Sequence, residues 1–171
     1  SAGYRIALGV SSQLTDLIAG EVNVGYVSQM YTSSLFKDVS TVTYGINLTW
    51  FATQLTTVSL SGGRDVVDST TAGAGGIIFT TVGLDVQHDL LDTLVIGAGF
   101  EYFNGDYEGI ARNDQGFRVN AEIAYMPNRY VSIEAKYKFD NRDSSKANCA
   151  PIANCQDYDR NRIDFGFEFQ L

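Results

Sequence analysis

The sequence has one histidine, His88, and it stands far from the two cysteines, Cys149 and Cys155. No set of residues has the His/Cys spacing of a metal site, and a serine or cysteine nucleophile has no usual base beside it. Prolines number 2, and no apolar run approaches the ~18 residues of a membrane-spanning helix. Barrel strands escape that test, because only every second residue meets lipid. Positive charge is short as well: 12 Lys+Arg against 20 Asp+Glu give a net charge of -8, which argues against attraction to nucleic acid. No signal peptide is visible and the chain opens Ser-Ala-Gly, so it is expected to be processed or cut from something longer.

Glycine is abundant instead, at 17, with 10 Tyr and 10 Phe, a mixture that suits strands and turns. Period-2 alternation occurs in nine runs, at 4–12, 21–31, 41–51, 56–64, 76–87, 93–103, 116–126, 130–140 and 161–171. In "TVTYGINLTWF", Val42, Tyr44, Ile46, Leu48 and Trp50 share one face, and Thr41, Thr43, Gly45, Asn47 and Thr49 the other. In "RIDFGFEFQL", Ile163, Phe165, Phe167, Phe169 and Leu171 oppose Arg162, Asp164, Glu168 and Gln170. No helical period of useful length competes.

The connections alternate in length. Tight ones fall around Asp16–Ala19, Thr53–Leu55, His88–Asp92 and Pro127–Asn128. Long ones are "YTSSLFKDVS", "RDVVDSTTAGAG", "NGDYEGIARNDQ" and "NRDSSKANCAPIANCQDYDRN". Outer-membrane up-and-down barrels have this asymmetry, with short periplasmic turns and longer outer loops. A soluble sandwich or lipocalin-like barrel would also alternate, with its apolar face inward. Runs of about 9–11 residues match a tilted bilayer crossing. Trp50, Phe51, Tyr125, Tyr130 and Phe169 gather beside the tight turns, as an interfacial belt would. The expected fold is therefore all-β, an antiparallel up-and-down transmembrane β-barrel in the bacterial outer membrane, with lipids as its outer partner.

Nine runs place the chain ends on opposite sides, whereas single-chain bacterial barrels have even strand numbers. Either residues 1–20 lie outside an eight-stranded barrel, or 1–171 is one domain, the C-terminal part of a larger barrel completed by an N-terminal segment or another chain. "YRIALGVSS" alternates as well as any run, which favours the second. Cys149 and Cys155 sit in a polar outer loop, where a disulfide is the expected use, in an oxidising compartment. The terminal run fits the signal read by the barrel-assembly machinery, carried by Asp164, Gly166, Phe169 and Leu171.

The chain resembles the outer-membrane β-barrel porins associated with exopolysaccharide and capsule gene clusters. The resemblance is carried by "VNVGYVSQMY", "YGINLTW", "DVQHDLLDTLVIGAGFEY", "DYEGIARND", "YMPNRYVSIEAKYKFDNRDS" and "DYDRNRI". It implies outer-membrane residence and a role in polysaccharide passage, and it carries no catalytic residues.

The alternation assigns Arg118, Glu122, Glu134, Lys136, Lys138, Asp140, Arg162, Asp164 and Glu168 to a lumen face, where opposite charges pair across strands. Tyr31 and Phe103, near the outer ends, are candidate platforms for sugar stacking. Asp106, Glu108, Arg112 and Asp114 are candidate sugar or cation contacts, read more simply as a solvated loop, and His88 as an exposed turn residue. No cofactor, metal or enzyme activity is expected. The expected function is a channel for polysaccharide or small solutes; the alternative is a closed structural or adhesive barrel acting through its loops.

Overall fold

A computed structural model describes residues 2–31, 38–71, 73–145 and 157–169. The described residues form nine strands: β1 (Ala2–Thr15), β2 (Ile18–Met30), β3 (Val39–Thr53), β4 (Thr56–Asp68), β5 (Gly76–Leu91), β6 (Leu94–Glu108), β7 (Asn113–Asn128), β8 (Val131–Ser144) and β9 (Tyr158–Phe169). Each pairs with its sequence neighbour in one antiparallel sheet, and β1 and β9 are its two open edges. Cys149, Cys155 and Leu171 lie outside the described residues.

The nine expected runs match the nine strands one for one, but the strands are longer, from 12 residues in β9 to 16 in β5 and β7. Alternation stops where lipid stops; backbone pairing does not. Asp106 still pairs with Asn113 above the last apolar row, so "NGDYEGIARNDQ" is mostly strand, with only 109–112 as the turn. Gly109, at φ 102°, supplies the left-handed residue that this turn needs. Residues 1–20 are not outside the sheet either: β1 pairs with β2 from Ala2 to Thr15. His88 and Asn128, expected in turns, belong to strands: His88 is paired within β5 and Asn128 ends β7.

Three of the four tight turns are built alike. Leu17 N–H donates to Thr15 Oγ1 at 3.2 Å, Leu55 N–H to Thr53 Oγ1 at 3.2 Å, and Tyr130 N–H to Asn128 Oδ1 at 2.9 Å. These side-chain turns need no glycine. Three of the four tight turns are also tied to the next hairpin along: Phe51 N–H donates to the Leu17 carbonyl, Asp89 N–H to that of Leu55, and Met126 N–H to that of Thr93 in the β5–β6 turn, all at 2.8 Å.

Register fixes which side chains share a face. One face carries Ile6, Tyr26 and Val42, then Leu48, Leu60, Leu84, Phe100, Val119 and Phe139. Large apolar groups stand open there: Val82 is 53% and Phe100 49% exposed, although both lie on central strands. Only Val27, Val39, Ala74, Ile78 and Phe103 are buried apolar residues among those described. Water would not tolerate so broad an apolar surface. Towards the long loops the apolar band stops at a polar row, Arg64, Thr80, Asn104, Gln115 and Asp143. Tyr44 stands in this row on β3 and Tyr102 just below it, and Trp50 and Tyr125 mark the band's other margin. From Leu94 to Tyr102 the band runs about 27 Å along the strand at ~3.4 Å per residue. Tilted by ~40°, that spans about 20 Å of membrane.

Candidate functional site

The opposite face is concave and polar. Arg5 on β1 reaches Asp65 on β4 through two hydrogen bonds, of 3.0 and 2.6 Å. Three strand spacings separate them, about 14 Å on a flat sheet. Only inward curvature brings these side chains together, and it identifies this as the inner face.

All nine expected lumen charges stand on this face, on β7–β9. Arg118 pairs with Glu101, and its Nε lies 3.5 Å from Asp140. Arg160 donates to the other oxygen of Asp140 at 2.8 Å. Lys136 binds Glu134 at 2.9 Å and lies 3.8 Å from Glu122. Arg162 donates from Nε to Asp164 at 2.9 Å. Among the described residues no ion pair includes Lys138 or Glu168. Asp164 and Gly166 are also on the inner face, and Phe169 of the same assembly motif is on the outer one.

Glycines make this wall thin. A Cβ at Gly97 would meet Glu122 Cγ at 2.8 Å, and one at Gly45 would meet Asn23 Nδ2 at 2.7 Å. Asp85 and Asn120 both reach the space above Gly99. Long polar side chains thus lie flat over neighbouring glycines instead of projecting inward.

Near the long loops, the expected solvated cluster is a buried one. Asp114 is 3% exposed. It accepts from Arg112 Nε at 3.0 Å and Nη2 at 2.8 Å, from the Tyr107 hydroxyl at 2.8 Å, and from Arg142 Nη2. Arg112 also stacks 4.4 Å from the Tyr107 ring centre. Asp114 lies beyond the apolar band, one residue above Gln115. Burial pushes its carboxyl up, but the bonds from Arg112, Arg142 and Tyr107 outweigh burial and hold it well below the usual carboxylate range. Asp106, by contrast, is exposed and bonded to Asn113. The Arg112–Asp114 spacing was visible in the sequence; the partnership with Tyr107 and Arg142 was not.

The two expected stacking residues are both engaged. Phe103 is 5% exposed, between the Phe79 ring at 5.8 Å and the Arg118 guanidinium at 4.6 Å. Tyr31 donates its hydroxyl to the Gly75 carbonyl. Beside Phe103 a hollow of about 310 Å³ is lined by Ile77, Tyr107, Arg142 and Tyr158 among others. His88 lies at the far end, its Nδ1 2.9 Å from Thr56 Oγ1, remote from the acidic residues near the long loops.

An apolar band outside, a charged wall inside and hairpins in sequence order describe the wall of a membrane barrel. Residues 1–171 match the family described as "Putative beta-barrel porin 2". The chain belongs to this family. Among solved structures it is similar to OmpT of Vibrio cholerae, an outer membrane protein. Against the in-vitro folded form the identity is 13% and the TM-score 0.67, covering 98% of this chain and 55% of the other. A loop L8 deletion mutant matches at 12% identity and TM-score 0.65, with 98% and 53% covered. The form expressed in the outer membrane matches at 14% and 0.60, with 98% and 56% covered. The chain therefore spans about half the length of these structures. No curated protein matches. This porin-family chain resides in the bacterial outer membrane, with lipid against its apolar face.

Proposed function

We propose that the chain forms part of the wall of a water-filled outer-membrane channel, and that solutes, polysaccharide among them, pass along its inner face. One observation carries this reading: the charged inner face belongs to an unclosed sheet of nine strands that covers only 55% of a similar outer-membrane structure, so a ring built on it is wider than nine strands. Side chains filling a narrow closed barrel would be packed and paired throughout, because an unpaired buried charge is costly. The resemblance to porins of polysaccharide gene clusters supports the choice of solute. The long loops then face outward and the side-chain-capped turns face the periplasm. Asp164, Gly166, Phe169 and Leu171 serve recognition by the assembly machinery. No enzymatic role is proposed: His88 is set at the opposite end of the wall from the Asp114 cluster.

Single-channel conductance of protein purified from its native membrane tests the reading. Large, steady steps in a planar bilayer support an open wall. Their absence favours a plugged barrel acting through its loops.

A further inference from the structure

On β7–β9 two adjacent inner rows are rich in positive charge. One holds Arg118, Asp140 and Arg160; the next holds Asn120, Lys138 and Arg162. On these three strands the rows hold four cations and one acid; Arg118 is further paired with Glu101 on β6, and Asp140 is shared by Arg118 and Arg160. Lys138 sits directly opposite Arg162. Like charges placed so are destabilising in an antiparallel pair. Nor does the nearest acid on β9 relieve them: Asp164 takes only Nε of Arg162, leaving the terminal guanidinium nitrogens without a hydrogen bond among the described residues. Lys138 has Asn120 as its other neighbour, not an acid.

We infer that Lys138 and Arg162 form a binding subsite for an anionic sugar, one bearing a carboxylate or a phosphate ester. The inference rests on the channel reading and names the class of solute. An anion between the two side chains would turn a repulsive pair into an attractive one. The guanidinium provides a planar fork for two oxygens, and the ammonium a compact charge beside it. The rest of the row fits the remainder of a sugar. Asn120 and Asp85 lie flat over Gly99, presenting an amide and an acceptor to ring hydroxyls at the level of the charges. Asp85 also disfavours a second anionic group on that side, so the charged end of a bound sugar points to β9.

The test uses full-length protein in its heat-modifiable barrel form in detergent, with equilibrium dialysis against trigalacturonate, maltotriose and inorganic phosphate. Trigalacturonate is expected to bind, and Lys138→Gln or Arg162→Gln to weaken it about tenfold. Arg64→Gln, which removes one positive charge from the outer face, is expected to leave binding as it was. Competition by phosphate would assign the site to anions generally, and competition by trigalacturonate alone to sugar carboxylates; both support it. Equal binding of maltotriose, or unchanged binding in both variants, overturns it. Without ligand, Lys138→Gln is expected to raise the melting temperature by removing the repulsion, and a fall would overturn the inference. Because binding is read apart from current, a barrel that conducts nothing defeats the channel reading and leaves the subsite to be decided by dialysis.

Discussion

Arg5 and Asp65 form a two-bond ion pair that crosses the two intervening strands, β2 and β3, and Gly25 lies on the inner face of the first of them. A Cβ at position 25 would stand 2.7 Å from the Ile6 carbonyl oxygen and 2.9 Å from Thr43 Oγ1. The pair itself is half-exposed, so Arg5→Gln is expected to cost under about 1 kcal/mol. Gly25→Val overpacks the wall and is expected to cost more, about 1–3 kcal/mol. Urea titration of the folded barrel in detergent checks the order of the two; a larger loss for Arg5→Gln would contradict it.

Asp114 is the most buried polar residue among those described. Asp114→Asn leaves Arg112 and Arg142 facing a neutral amide, at an expected loss of roughly 3–5 kcal/mol. Heat-modifiability on a gel reads this as unfolding at a lower temperature.

The same carboxyl sets a pH dependence. Its folded pKa lies below the ordinary value of about 3.9. Its contribution is therefore complete above that value and is lost as pH falls through the lower, folded one. Stability from this group is expected to be flat between pH 7 and 5 and to decline in more acid solution. Asp114→Asn is expected to flatten the acid limb of a pH-stability curve; an unaltered limb would exclude Asp114 as its source.

The two faces of β6 make a paired comparison. Phe100→Arg points a charge into lipid and is expected to cost about 2–4 kcal/mol. Glu101→Gln, next along and facing inward, removes one partner of a solvated pair and is expected to change stability little. Trp50, the single tryptophan, should be quenched best by bromines near the lipid headgroups. Quenching best at the chain ends would misplace the band.

Gly97 and Gly99 set the thickness of the wall. Gly97→Leu displaces Glu122 towards the lumen. Conductance is expected to fall while the barrel form persists on gels, and unchanged conductance would separate wall thickness from current.

The strand count and the two faces were legible in the sequence because lipid and water impose different residue types on alternate positions. The upper strand ends were not. Above Gln115 both faces meet polar surroundings, so "NGDYEGIARNDQ" reads as loop although most of it is paired. The burial of Asp114 depends on β7–β8 register, which puts Arg142 and Ser144 beside it. The placement of Lys138 opposite Arg162 depends likewise on β8–β9 register, across a connection too long to fix it by turn geometry.

Both edges of the sheet run downhill, from the long-loop side to the tight-turn side, because β1 and β9 are separated by seven strands. A direct β1–β9 seam would therefore be parallel, against the antiparallel habit of every other pairing. Anything that completes the ring with antiparallel seams must run uphill beside both edges. Any arc that closes the ring in this way has odd parity: one strand, or three, or five, but never two.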